Sequence, residues 1–389
     1  MRILALVQSP VAGDARVERE AASLASAGHE VTVVGRGVPV GYEPPDGVAT
    51  VDAGRPGGLA VGRASAEGSA GRGLRMPSTV EQAARWALLP EHRARVEAVW
   101  RRDAGRLVAD LRVDVVHAHD LNTIELAGSV AALRDVPMVY DAHELWSGRQ
   151  LPGRPTPVGS RRQAALELRS ARRAEVVLTV SEGIAERLRA RGLPDVRVVR
   201  NTFPVRGDEP SAASPPQGIV YAGRIGPGRD LETVLVASRR HPAGLRTVLV
   251  GPADHAYERR LPGPGVVEVL PALPVDEVDD VYRRLGIAAV TLTDSCDNHR
   301  LALPNKLFHA VRAGTPVVAA DLPEIARVVR RHRLGVLYRP GDPASFADAV
   351  ATVVGDHTQL VSNVVAARAE LSWARDETVL LDAYEGLRR

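Results

Sequence analysis

Cysteine is almost missing from this sequence: Cys296 stands alone among 389 residues. An internal disulfide and a cysteine-built metal site are thereby excluded. Aromatic residues make up only 4% of the chain, and no aromatic ladder interleaves with basic residues as nucleic-acid binding would require. No apolar run approaches the ~20 residues of a membrane-spanning helix. Met1-Arg2 leads straight into Ile3–Val7, a run without the length or cleavage pattern of a signal peptide. The expected location is cytoplasmic, with the inner face of a membrane as a second site. The net charge is only +3, and no basic tail is present. The GxGxxG of nicotinamide-type folds is absent, as is the Gly-Lys-Ser/Thr of a P-loop. Lysine is scarcest of all: Lys306 is the one lysine among 50 lysine and arginine residues. A chain that uses arginine wherever either residue serves keeps this lysine for something arginine does not do. Reaching a phosphate as a compact point charge is such a task.

What is present is a regular α/β alternation. Short apolar strands, as parallel sheets buried on both faces require, alternate with amphipathic helices. The opening unit runs from Ile3–Val7 through a helix at 14–27, N-capped by Asp14 and ended by Gly28, to Val31–Val34. Further strands are expected at Val48–Val51, Val113–Ala118, Pro137–Tyr140, Val176–Thr179 and Val196–Val199. Residues 54–75 read as a mobile loop and 80–111 as helix broken near Pro90. Residues 204–217 hold four prolines and no apolar periodicity, which marks a linker. A second alternation follows from Gly218, with strands from Ile219–Ala222 to Gly335–Tyr338 and helices closing the chain. Length and alternation together predict an α/β protein of two doubly wound, Rossmann-like domains facing a cleft. The first spans 1–203 and the second 218–370, and a final helix at 371–389 closes the chain.

Ligands of such sheets bind at the carboxyl ends of the strands. Residues 294–322 read as loop, helix and strand. Pro304 opens the helix, whose electropositive start points at the loop. Gly223-Arg224-Ile225-Gly226-Pro227-Gly228-Arg229 is a second strand-to-helix loop. Its small residues admit a ligand close to the backbone, and its two arginines can grip a diphosphate. Both loops can therefore face one anion. His143, between Asp141 and Glu144, can donate to a hydroxyl or move a proton. His117, His119 and Asp120 could suggest a metal, but the two rings share a face only if the strand continues to residue 119 and no further ligand stands nearby in sequence, so none is expected there. One histidine should pack, and Asp120 should line the cleft. Arg161, Arg162, Arg169, Arg172 and Arg173 form a basic helix face, read as solvated.

These residues resemble a known family. Asp14-Ala-Arg-Val-Glu-Arg-Glu, His117-Ala-His-Asp120, Tyr140-Asp-Ala-His-Glu144, the Gly223 loop, Leu303-Pro-Asn-Lys-Leu-Phe and Ser372-Trp373 are similar to motifs of GT-B glycosyltransferases of retaining family 4, also called glycosyl transferases group 1. The resemblance covers nearly the whole chain. It implies transfer of a hexosyl group from a UDP- or GDP-linked sugar to an acceptor hydroxyl with retention, without metal or other cofactor. It implies that the closing helix crosses back to the first domain. Arg224 and Arg229 would hold the diphosphate, with Lys306 near the phosphates or the sugar and His143 near the reacting carbon. Gly13, Gly223, Asn305, Leu307 and His309 would fall on the donor side, and His119, Asp120 and Glu144 on the acceptor side. The acceptor, sugar-containing and of polysaccharide or specialised-metabolite type, would be met by 54–78 and 145–165. The family pattern carries two glutamates where this chain has Leu301 and His309, so ribose recognition should be altered. A nucleotide-sugar 2-epimerase of the same fold and a non-catalytic sugar-nucleotide-binding subunit are the alternatives.

Overall fold

A computed structural model describes residues 1–54, 97–149, 159–205, 210–240, 245–254, 257 and 267–387. The loop expected at 54–75 and the break near Pro90 lie outside the described residues. Among these residues the first domain has a seven-stranded parallel sheet. Its strands are β1 (Arg2–Pro10), β2 (Glu30–Arg36), β3 (Val48–Asp52), β4 (Val115–His119), β5 (Met138–Ala142), β6 (Val176–Thr179) and β7 (Val196–Val198). The order is β3-β2-β1-β4-β5-β6-β7, so the direction of growth reverses between β1 and β4. Every residue of β4, β5 and β6 is buried, as expected of strands covered on both faces.

Alternate residues serve the two faces. Leu4, Leu6, Val116, Ala118 and Tyr140 join one cluster. Ile3, Ala5, Val7, Val115, Val139 and Leu178 join the other. This second cluster includes Trp373, Leu380, Ala383 and Tyr384 of the helix Trp373–Gly386. The end of the described chain thus completes the core of its beginning. The crossing is stapled by polar contacts. Asp376, 2% exposed, accepts from Thr202 Oγ1 at 2.6 Å and from Arg200 Nε at 3.0 Å. Trp373 Nε1 donates to Ser23 Oγ at 2.9 Å on the helix Ala15–Ser26.

The second domain has six parallel strands among the described residues. They are β8 (Gly218–Ala222), β9 (Arg246–Val250), β10 (Glu268–Leu270), β11 (Gly286–Val290), β12 (Val317–Ala320) and β13 (Gly335–Tyr338), in the order β10-β9-β8-β11-β12-β13. It is the same winding around one larger core. Two Rossmann-like α/β domains are what the alternation called for.

The polar loop between β11 and β12 is not all loop. Asp297–Leu301 forms a short helix before the helix Asn305–Arg312. Five polar and mixed residues carry no period to betray it. Pro304 sits at the N-cap of the longer helix, one position earlier than its ring would suggest.

The turn after β9 limits the site directly. Gly251 has φ +136°, and a Cβ there would lie 2.2 Å from Gly223 O. Only glycine allows this approach of the β9 turn to the β8 loop. Gly251→Ala should therefore cost ~3 kcal/mol through overpacking and backbone strain. Thermal unfolding should show a midpoint several degrees lower; an unchanged midpoint would contradict the close packing.

Candidate active site

The second-domain wall is built from two loops zipped together. Thr291 Oγ1 donates to Arg229 O at 2.6 Å, and Thr293 N donates to Gly228 O at 3.2 Å. Asp230, in the left-handed region at φ +55°, anchors the far end of the glycine loop. Its buried carboxylate accepts from Thr233 Oγ1 (2.7 Å), Tyr338 OH (2.7 Å) and Gly341 N (3.1 Å). Arg229 is thereby fixed on the cleft, where it lines a cavity of about 430 Å³. Lys306 lies beside it, 7% exposed. Its Nζ donates to Thr291 O at 3.2 Å and sits 4.4 Å from the Tyr221 ring centroid. Burial holds the Lys306 ammonium well below the usual lysine range, and the charge on Arg229 depresses it further. No carboxylate partner of Lys306 is found among the described residues, so the pair is short of one anion.

Other residues anticipated on this wall have different surroundings. Arg224 turns outward, 65% exposed in its side chain, and pairs with Asp254 at 2.7 Å. It does not line the cleft cavity. Leu307 is fully buried in the domain core, so only its backbone reaches the helix start. His309 Nδ1 is 3.1 Å from Asp279 Oδ1, and its ring packs 4.1 Å from Phe203. Asp279 also takes Arg312 Nε. Asn305, at the helix start, lines the cleft. Gly223 keeps φ +139° beneath Tyr221.

The first-domain wall is a layered charge network. Arg16, 4% exposed, reaches from the helix Ala15–Ser26 to Asp141 through Nε and Nη2, both at 2.7 Å. Its third nitrogen donates to Val199 O at 2.7 Å and Asn201 Oδ1 at 3.1 Å. Glu20 lies 3.0 Å from Arg16 Nε. His143 sits on top. Its Nε2 is 2.8 Å from Asp141 Oδ2, its Nδ1 is 3.5 Å from Asp120 Oδ2, and its backbone N donates to Asp120 Oδ1 at 3.1 Å. Asp120, at φ +65°, also accepts from Trp146 Nε1 at 3.0 Å. His119 lies beneath His143, 2% exposed, with Nδ1 3.2 Å from His143 Nε2. Burial works to lower the His143 pKa, but Asp120 and Asp141 outweigh it and raise the imidazole to about 10. At neutral pH His143 is a cation that donates hydrogen bonds, not a base.

Glu20, His117, His119 and Asp141 place ligand atoms within 4.8 Å of one another, a set that could hold a metal. No spacing along the chain points to this set, because Glu20 lies far from the histidines. Arg16 already supplies the cation inside the set. Burial raises the Glu20 pKa, partly offset by Arg16. Tyr384 OH lies 2.8 Å from His117 Nδ1 and ties the cluster to the closing helix.

The walls meet. Ser181 Oγ donates to Leu301 O at 2.6 Å, and Leu145 N donates to Asn298 Oδ1 at 2.8 Å. Asn298 Nδ2 donates to Glu144 Oε2 at 3.1 Å, while Glu144 also takes Arg149 at 2.5 Å. Gly183 admits this docking, since a Cβ there would meet Leu301 and Glu324 at 2.8 Å. The larger cavity and a second of about 410 Å³ share His143, Asn201 and Asn305. They form one cleft with Gly13 and Asp14 at its first-domain end. The Gly13 amide is engaged by Glu18 Oε1 at 3.1 Å. Sequence reasoning missed Arg16, Asn201, Asn298, His299 and Arg149. The one available signal was Arg16 inside the Asp14–Glu20 motif.

The comparisons with known proteins agree with this architecture. Residues 13–202 match the glycosyl transferase 4-like domain, and residues 216–356 match the glycosyl transferases group 1 model. The chain belongs to the group 1 glycosyltransferases of GT-B fold. It is 25% identical over 318 residues to a glycogen synthase of Mycobacterium tuberculosis, covering 72% of this chain and 70% of that protein. It is 29% identical over 184 residues to a D-inositol 3-phosphate glycosyltransferase of Nocardia farcinica, covering 43% and 40%. Among solved structures, Anabaena HepE in complex with UDP-glucose superposes with a TM-score of 0.71 at 16% identity, over 99% of this chain and 100% of that one. Sucrose-phosphate synthase from Thermosynechococcus elongatus gives 0.71 at 16% identity, over 100% and 99%. Among the described residues, no helix is long and apolar enough to cross a membrane.

The charge network predicts a pH response. The folded His143 pKa, about 10, lies above the ordinary 6.5. Its contribution to stability is fully present below 6.5 and is lost as pH rises through 10. Imidazole NMR titration should show His143 protonated at neutral pH, with a midpoint that falls in Asp120→Asn. A midpoint near 6.5 in the parent chain would contradict the assignment.

Proposed function

We propose that the chain transfers a hexosyl group from a nucleotide diphosphate sugar, UDP- or GDP-linked, to an acceptor hydroxyl with retention and without a bound metal. The observation that carries this is the Arg229–Lys306 pair. Arg229 and the buried Lys306 sit side by side, the charge of Arg229 depressing the Lys306 pKa, and no anion among the described residues pairs with Lys306. Arg229 lines the same cavity as the protonated His143, with Lys306 buried behind it. A diphosphate seated there would relieve the Lys306 desolvation. As the sugar–phosphate bond breaks, the charge growing on the departing nucleotide would be met by fixed charges in a cleft that both domains close. The helix start at Asn305 adds its backbone dipole. His143 presents its positive charge to the sugar side, and Asp141 and Asp120 keep it charged.

The glycosyltransferase relatives and the UDP-glucose complex of a structural neighbour support a nucleotide-sugar donor. Arg224, tied to Asp254, serves the loop more than the ligand in this reading. Epimerisation would need acid and base carboxylates on the donor wall. The second-domain residues lining the larger cavity include none: Arg229, Asn298, His299 and Asn305 are its polar members. The acceptor is a sugar or polyol reaching the cleft from the Gly13–Asp14 end.

The test combines binding and turnover. UDP, GDP and their glucose and mannose conjugates are screened by thermal shift. The product anomer is assigned by NMR, and turnover is measured with and without EDTA. Arg229→Ala should weaken nucleotide diphosphate binding ~10–100-fold, the loss of one charge-assisted hydrogen bond or more. Arg224→Ala should weaken it about 2-fold or less. His143→Ala should abolish turnover while nucleotide binding persists. Unchanged transfer by His143→Ala would remove that residue from the mechanism. Donor binding without turnover in the parent chain would favour a binding subunit.

A further inference from the structure

We infer that His299 reads a hydroxyl of the donor sugar through the lone pair on its Nε2, and so selects which sugar the cleft accepts. The inference rests on the donor reading above.

His299 lies on the short helix Asp297–Leu301 and lines the cavity shared by the two domains. Its ring is held at one nitrogen only. Nδ1 is 2.9 Å from Thr293 O, an atom that can only accept. Nδ1 therefore carries the proton, which fixes the tautomer and leaves Nε2 bare. The Thr293 and Ser295 hydroxyls, each 3.3 Å away, also face Nδ1. No hydrogen bond to Nε2 is found among the described residues. The bare edge passes over Gly228: a side chain there would begin 3.3 Å from Cε1 and 3.9 Å from Nε2. Glycine at this point lets the imidazole lie against the loop that carries Arg229.

The surrounding charges keep the ring neutral. Burial lowers its pKa, the Thr293 carbonyl pulls the other way, and Arg229 and Lys306 lower it further. Asp294 pulls upward, but it is itself bound by Arg300 at 2.5 Å. A lone pair with no donor bound to it among the described residues needs a ligand group that donates. A diphosphate at neutral pH offers no proton, whereas a sugar hydroxyl does. The neighbours on the opposite wall favour the transferred sugar over the nucleoside. His299 shares its cavity with His143, Glu144 and Arg149 of the first domain. The group being transferred must be reached from both walls, and the nucleoside need not be.

The experiment uses the full chain with His299→Ala and His299→Gln, titrated calorimetrically with UDP, UDP-glucose and UDP-galactose. GDP and GDP-mannose replace them if the parent chain prefers guanine. For His299→Ala, UDP affinity should change by less than about 2-fold, while affinity for the preferred sugar nucleotide falls ~10-fold, as one lost hydrogen bond implies. The preference between the two epimeric sugars should collapse. His299→Gln presents an amide oxygen at similar reach and should recover much of the preference. Equal losses for UDP and UDP-sugar would overturn the inference by placing His299 on the nucleotide. No loss for either ligand would overturn it as well. A parent chain that binds none of these ligands would instead overturn the donor reading on which the inference stands.

Discussion

A guanidinium with almost no access to solvent governs the first domain. Arg16 grips Asp141 at two points and reaches Val199 and Asn201 with its remaining nitrogen. Such a buried pair brings no assured gain in stability over an apolar equivalent, but losing one partner strands a charge. What the pair brings is position. Asp141, held below the usual carboxylate range by Arg16 and His143 against the effect of burial, is the floor on which His143 stands. Asn201 is carried to the cleft by the same arginine. Helix, central strand and interdomain chain segment are thus registered against one side chain.

The second domain achieves the corresponding result with backbone. Gly251 lets β9 press against the Gly223 turn, Asp230 pins the loop end, and the Thr291 and Thr293 contacts close the seam. The loop is therefore rigid before any ligand arrives. Rigidity matters for a charge-stabilising site, because fixed dipoles and charges need no reorganisation as the bond breaks. One wall is held by a buried charge and the other by glycines, and the short contacts at Ser181, Asn298 and Gly183 bring them face to face.

Much of this was readable in the amino-acid sequence, and what was not has physical causes. The strands declared themselves because both faces are buried, so their runs are apolar throughout. Lys306 stood out by rarity and His143 by its carboxylate neighbours, and the structure sets the first against Thr291 and the second on Asp141. Arg16 and Glu20 did not: charged residues on an amphipathic helix read as its wet face, and only the Asp141 carboxylate opposite reverses that. Arg224 read as a phosphate ligand from its loop, but sequence does not show a residue's direction, and the structure pairs this side chain with Asp254. His309 read as a ribose contact by motif position, whereas Asp279 and Phe203, distant in sequence, already engage its ring. The helix Asp297–Leu301 is too short to show a period, and with it went His299 and Asn298.

The placement of Tyr384 has a consequence for how the molecule is made. This side chain is fully buried against the first sheet and hydrogen-bonded to His117, some hundreds of positions earlier in the chain. Trp373 and Leu380 fill the same face. During synthesis the first domain emerges with this apolar face uncovered, and it stays so until the whole second domain has been made. The first domain is therefore the earlier to begin folding and the later to finish. The assembled cleft and the completed core of its first wall arrive together, once the helix Trp373–Gly386 has emerged.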